Sequence, residues 1–508
     1  MRVSSCRSWG AAPQRAPERP DRERPDSKET MATRKKQPPR PRRPKSPRQT
    51  GAAVAEPPPK AEVPPEFWKR IEDEGVRWAK IGGFDIDAVL RGKYVSIEKL
   101  RSALAHGFGF CDVIFGWDMA DVLYDSAKVT GWHSGYPDAH AVLDVTTARR
   151  IPWEPGVIAL LCDFRDASGA EHPACPRSLL KRMKARANRL GFEALFGAEF
   201  EFFFFKESRD DLASKGYTNL TPLDPGMMGY SWLRTGQDAD LVRDILDSLA
   251  AHDVPIEGFH TETGPGVYEA AIRYDDVLAA ADKAALFKTA LKQIASRHGL
   301  SVTFMAKVNA RLPGSSGHLH QSLWRGESNA FASADGKKLA PTLRAYLGGQ
   351  MALMRELTAL ISPTINSYKR YVPGVWAPLS PSWGIDNRTC ALRVIDPFDS
   401  GAARIECRQA AADINPYIAM ATCLGAGLWG IEHELDPGEP AVGDAGSGSE
   451  RLPGSLKEAT ALLEQSSAAR EIFGEAFVDH YVMTRKWEVL EFERAVTDWE
   501  SKRYFEMV

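Results

Sequence analysis

Apolar and polar positions along the chain follow two rhythms. In DDVLAAADKAALFKTALKQIASRHG, Val277, Ala281, Ala284, Phe287, Leu291 and Ile294 recur at helical spacing, and Gly299 marks the stop. CPRSLLKRMKARANRLGF keeps the same spacing up to Gly191. INPYIAMATCLGAGLWGIEHEL predicts a helix capped by Asn415, with Pro416 in its first position. The chain after residue 453 reads mostly as amphipathic helix, and residues 436–452 as a Gly/Pro/Ser loop. Between these lie period-two segments. From residue 140, HAVLDVTTARRIPWEPGVIALLCDF reads as short strands punctuated by prolines. In GAEFEFFFF, alternation puts Glu199, Glu201, Phe203 and Phe205 on one side and Phe200, Phe202 and Phe204 on the other. No internal repeat is visible. Strands are not followed regularly by helices, so the pattern predicts an α+β fold rather than a doubly wound sheet.

Composition narrows the class. With 43% hydrophobic and 26% charged residues, the 508-residue chain has the make-up of an ordinary soluble protein of two or three domains. No apolar run is long enough for a membrane span, and no secretory signal core is present. Seven scattered cysteines without a CxxC pair point to reduced thiols and a cytoplasmic setting, with Cys407 as a small buried filler. The net charge of −2 hides an asymmetry: residues 1–50 carry +10 and the rest −12. Residues 1–65 are basic and Pro-rich with few large apolar side chains, which predicts a disordered tail. A solvated tail is the simpler reading than a nucleic-acid arm, so no nucleic-acid partner is expected; Met31 is an alternative start.

Candidate chemistry lies on the strand-like segments. Two carboxylates on one face of an otherwise apolar strand need a cation to meet them. GSSGHLHQSLW places His318, His320 and Ser322 at period two, and ARIECRQ does the same for Arg404, Glu406 and Arg408. In HTETGPGVYEAAIRY, a Gly-Pro-Gly turn can return Glu262 and Glu269 to one place. Singly, each pattern is an ordinary polar sheet face. Together, five glutamates and a histidine make an oxygen-rich site for one or two Mg²⁺ or Mn²⁺ ions, and the lack of cysteine ligands argues against structural zinc. Arg370, Arg388, Arg393, Arg404 and Arg408 follow within 39 residues, and guanidinium forks fit phosphates and carboxylates. No GxxxxGK[ST] loop occurs. GAGLWG at 425–430 matches GxGxxG, but inside a predicted helix and after no strand, so it is read as a chance match.

These blocks, with TFMAK, NSYKRYVPG, NRTCALRV and NPYIA, stand in the order of the glutamine synthetase family, which the chain resembles over roughly residues 80–508. The resemblance implies an N-terminal β-grasp domain at 66–170. It implies a catalytic half-barrel of antiparallel strands and helices at 171–508. It implies two Mg²⁺ or Mn²⁺ ions per site, with Glu201, Glu262 and Glu269 holding the ion nearer the substrate. Glu199, His318 and Glu406 would hold the one on the ATP phosphates. Arg370 and Arg408, with Gly314, would bind glutamate, and Arg388 and Arg393 would steady the transferring phosphoryl group. His320, Ser322, Tyr274 and Arg404 would contact the nucleotide, and Asp125 would correspond to an ammonium-binding aspartate. A homo-oligomeric ring with sites between subunits is implied as well.

Two departures bear on the acceptor. Where ammonia-using members carry VPGxEAP, this chain reads VPGVWAP, so Trp376 stands in place of a glutamate. Indole is no base, although its face can hold an alkylammonium. Pro313 also replaces an asparagine that touches glutamate in the family, which leaves the acid substrate open. The pattern resembles the γ-glutamylpolyamine and γ-glutamylputrescine synthetase branch, in which glutamate, ATP and a small amine are the substrates. A true glutamine synthetase and a non-enzymatic structural relative are the alternatives. HELDPGEP occupies the region of the regulatory adenylylation loop, so that regulation is not expected.

Overall fold

A computed structural model describes residues 63–166, 168–333, 336–447 and 450–508. The tail and the alternative start at Met31 lie outside these residues, apart from the tail's last three positions, where the helix Pro65–Asp73 begins.

Five strands form a first sheet: β1 (Trp78–Phe84), β2 (Leu90–Ser96), β3 (Phe108–Cys111), β4 (Asp138–Arg150) and β5 (Val157–Arg165), in the order β2-β1-β5-β4-β3. β1 and β5 pair in parallel and the other contacts are antiparallel. The helix Ile97–His106 covers one face. Ser96 caps its N-terminus by accepting from Lys99 N–H, and Gly107, at φ 68°, ends it. Leu100, Ala103 and Leu104 pack there with Ala79, Ile81, Ile158 and Phe164. The prolines do not break this region into short strands. Pro152 and Pro155 sit in the turn between a 13-residue and a 9-residue strand, where no ladder donor is needed.

The second sheet has ten strands. Its path runs β13 (Trp383–Ile385), β14 (Leu392–Ile395), β15 (Arg404–Cys407), β11 (Gly317–Arg325), β6 (Glu193–Phe205), β8 (Val267–Ile272) and β7 (Ile256–Thr261). The short strands β9 (Asp275–Asp276) and β10 (Ser301–Thr303) add to β6, and β12 (Ser328–Asn329) adds to β11. The sheet curls into a half-barrel, mostly antiparallel, so the fold is α+β. Its spine is β6, and alternation there behaves as the sequence predicts. Phe200, Phe202 and Phe204 join the main core, where Phe200 stacks on Phe287 of the helix Val277–Arg297 at 6.1 Å. Phe203 and Phe205 form a separate cluster with Val267 on the side that carries Glu199 and Glu201.

The helix Pro416–Glu432 is buried on nearly all sides and is capped by Asn415 as expected. The GAGLWG run lies within it and serves close packing. A Cβ on Gly427 would come within 2.1 Å of the Tyr346 ring, and one on Gly430 within 2.3 Å of the Ala345 carbonyl. The buried Arg177 ties the first sheet to this layer. It donates to Asp144 and Asp163 at 2.9 Å and to Asp282 on the helix Val277–Arg297 at 2.8 Å. Among the described residues six cysteines are unpaired, Cys407 being buried, and no helix is long and apolar enough to cross a membrane.

Candidate active site

Register builds the site. Reading across the second sheet, Arg393 on β14 lies opposite Glu406 on β15, and Glu406 opposite His320 on β11. Two residues along, His318 faces Glu199 on β6. Glu201 faces Glu269 on β8, and Glu269 faces His260 on β7. Cross-strand partners share a face, so six strands spaced about 4.8 Å apart deliver one continuous row of charge. The β7–β8 turn returns Glu262 beside Glu269. Gly266 in that turn has φ 66°, and any Cβ there would meet Phe204 O and Leu223 N at 2.9 Å.

The row has two unlike halves. On one side His318 Nδ1 lies 3.2 Å from Glu199 and 3.3 Å from Glu406. Arg393 donates to Glu406 at 2.9 Å and Arg408 at 2.5 Å. Burial works to raise the Glu406 carboxyl, but His318, Arg408 and Arg393 hold it at about 2. Glu199 is likewise held far below the usual carboxylate range, burial being outweighed by His318 and His320. On the other side cations are scarce. Burial, with Glu269 adding to it against the pull of His318, pushes Glu201 up to about 7. Burial also raises Glu269, against its 3.1 Å contact with His260.

This donor set fits divalent cations. Three groups converge with ligand atoms within 4.8 Å of one another: Glu199, Glu269 and His318; Glu199, His320 and Glu406; His260, Glu262 and Glu269. All donors are carboxylate or imidazole, as hard cations prefer. Among the described residues, the buried His318 Nε2 has no hydrogen-bond partner. The grouping departs from the expected trios, since Glu269 also converges with Glu199 and His318. Glu201 faces Glu269 but turns one oxygen to the Ser316 N–H at 2.7 Å, while His260 and His320 stand among the converging groups.

A cavity of about 360 Å³ continues from Glu199 along the same face, lined by Gly197, Tyr274, His320, Ser322, Trp324 and Arg404. All four predicted nucleotide contacts therefore share one space. Gly197 lies directly across from His320 and leaves the floor of the cavity without a side chain. Arg370 is buried and donates to Ser316 Oγ at 3.0 Å and to the Arg408 and Gln409 carbonyls. Gly314 lies against its stem, where a Cβ would come within 2.8 Å of Arg370 Cγ. Arg408 Nε donates to the Arg388 carbonyl at 3.0 Å. The Arg388 side chain is exposed, whereas Arg393 is tied to Asp386 and Glu406. The Trp376 side chain is 67% exposed.

Asp125 is not brought to the row within one chain. It lines a groove with Glu464, Asp479 and Trp487, against the helix Glu475–Arg494. Sequence reading also missed three residues. His260 and Trp324 lie two positions from Glu262 and Ser322, so extending the same alternation by one step finds both. Tyr230, stacked on His260 at 4.4 Å, gives no local signal: its loop is placed by hydrogen bonds to Thr261.

Comparison with known proteins bears on the family and the fold. Residues 173–504 match the model of the glutamine synthetase catalytic domain. The chain is 45% identical to a type-1 glutamine synthetase of Dictyostelium discoideum, covering 85% of this chain and 84% of that one. It is 37% identical to a glutamate–isopropylamine ligase of a Pseudomonas species, covering 86% and 97%. It is 38% identical to a γ-glutamylethanolamide synthetase of Streptomyces coelicolor, covering 83% and 91%. A solved structure described as a GmaS/ADP complex superposes with a TM-score of 0.75 at 28% identity, over 86% of this chain and 98% of that one.

Proposed function

This chain belongs to the glutamine synthetase family of ATP-dependent ligases joining glutamate to ammonia or an amine, and we propose that its acceptor is an organic primary amine, small or polyamine-like. The observation that carries the proposal is the exposed indole of Trp376 where ammonia-using members place a glutamate. An indole face attracts an alkylammonium but takes no proton from ammonium. Relatives named as a glutamate–isopropylamine ligase and a γ-glutamylethanolamide synthetase support the reading.

In this reading Arg370 and Arg408, backed by Gly314, bind the glutamate carboxylate. Tyr274, His320, Ser322 and Arg404 seat ATP in the cavity beside Glu199. Glu201, Glu262 and Glu269, with His260, would hold one Mg²⁺ or Mn²⁺, and Glu199, His318 and Glu406 the other. Bound there, the ions supply positive charge to the phosphates. The γ-carboxylate oxygen of glutamate attacks the γ-phosphorus, ADP leaves, and Arg388 and Arg393 balance the charge that develops. The amine then attacks the γ-glutamyl phosphate, phosphate leaves, and the amine nitrogen sheds its extra proton. Residues 66–170 act as a β-grasp domain and 171–508 as the catalytic domain. A homo-oligomer with sites shared between subunits would bring Asp125 of one copy to the row of the next.

The experiment is phosphate release with glutamate and Mg-ATP against isopropylamine, ethanolamine, putrescine and ammonia. At least one organic amine should outpace ammonia at equal concentration. Trp376→Glu should move the preference toward ammonia by about tenfold, roughly 1.4 kcal/mol. Ammonia as the best acceptor of the unaltered chain would favour the second reading, a true glutamine synthetase, to which the 45%-identical relative lends support.

A further inference from the structure

Between the first sheet and the helix Val277–Arg297 lies a second cavity, of about 230 Å³, lined by none of the candidate site residues. Register explains why it is there. On the sheet face turned toward the helix, Tyr94, Lys80 and Ala159 form one cross-strand row, and Gly92, Gly82 and Leu161 form the next. Two adjacent glycines and an alanine leave the middle of that face bare. The chain cannot refill it at the glycines, because a Cβ on Gly82 would come within 2.3 Å of the Arg91 carbonyl. The helix closes the other side with Leu286, Thr289, Ala290 and Gln293.

The polar fittings are few. Trp153 Nε1 donates to Gln293 Oε1 at 2.8 Å, and the Trp153 ring lies 5.1 Å from the His252 ring. His252 Nδ1 bonds to the Arg150 carbonyl, which can only accept, so Nδ1 carries the proton and Nε2 remains an acceptor. The cations around the cavity are engaged. Lys80 pairs with Glu154, and Lys93 is held by the Gly109 carbonyl at 3.3 Å and the Phe110 ring at 4.7 Å. A slot with a flat peptide floor, aromatic ends, one neutral imidazole acceptor and engaged lysines selects against a charged ligand.

We propose that this cavity binds an uncharged, planar aromatic molecule of one or two fused rings carrying a hydroxyl or N–H donor. The ring lies on the Gly82–Gly92 backbone with its donor available to His252 or Thr289. An occupant braces the helix whose other flank stacks Phe287 on Phe200, the residue between Glu199 and Glu201.

The test uses the full chain and 6-fluoro-2-naphthol, followed by fluorine NMR. Saturable binding at one site is expected. Ala159→Phe, which fills the floor, should weaken it by about tenfold or more. Thr289→Leu, on the opposite wall, should weaken it as well. Neither residue belongs to the ligase site, so unchanged phosphate release shows that both variants are folded. Absence of saturable binding would overturn the proposal, as would binding that survives both substitutions. So would a crystal structure in which a side chain of a second copy fills the slot.

Discussion

The two halves of the charged row share one sheet face and the same residue types, yet they solve burial in opposite ways. Around Glu406, two arginines and His318 are already in place, and the carboxyl is ionised deep into acid. Around Glu201 and Glu269 the carboxylates face one another, with His260 as the partner within ion-pair distance of Glu269. The first half meets its buried carboxylates with cations of the chain itself, and the second half is short of them.

The most severe way to break that contrast is Glu269→Ala. Phosphate release should fall by about a thousandfold or more, as expected when a transition-state charge contact is lost. Urea denaturation of the metal-free protein should change by no more than about 1 kcal/mol, because a crowded carboxylate has been removed. A large loss of stability would mean that this half too is structural. Arg408→Ala probes the other half. It removes one of the two arginines on the buried Glu406 and the donor to the Arg388 carbonyl, and should cost about 1–3 kcal/mol in the same denaturation measurement of the metal-free protein. A loss below 1 kcal/mol would show that Glu406 is not held by its arginines.

A finer probe is pH, applied with a chelator present. Glu201 keeps its proton to about 7 when folded, against a reference near 4.5. The folded chain therefore binds more protons than the unfolded one between these values, and this contribution to stability is lost as pH rises from 4.5 to 7. Glu406, held at about 2, contributes in the opposite sense: its share is present above 4.5 and lost as pH falls toward 2. Denaturation of the metal-free protein at pH 5 and 7.5 should show the first effect, of roughly 3 kcal/mol at most, and Glu201→Gln should flatten it. An unchanged slope in Glu201→Gln would assign the pH dependence elsewhere.

Much of this was legible in the sequence because it is local. Alternation along β6 sorts five phenylalanines and two glutamates onto their faces, and helical spacing with Asn415 and Pro416 fixes a buried helix. The family blocks point to the same row that register assembles. What was not legible depends on distant contacts. The loop carrying Tyr230 is positioned by Thr261, thirty residues on, and Asp125 by packing on a helix near the other end of the chain. The regrouping of Glu201 away from the expected trio depends on the Ser316 N–H, a neighbour that no periodicity reveals. The prolines at 152 and 155 misled because a turn and an interrupted strand look alike until pairing is known.

Because the charged residues stand on hydrogen-bonded strands, the intervals between them are set by the ladder and act as a ruler that no single substitution can rescale. Val375 and Trp376 sit on an exposed loop with no such gauge. On the proposed reading, the phosphate-activating chemistry is locked into the weave of the sheet, while the loop proposed to choose the nitrogen donor is free to drift. Descendants of such a chain will change what they attach long before they change how they activate it.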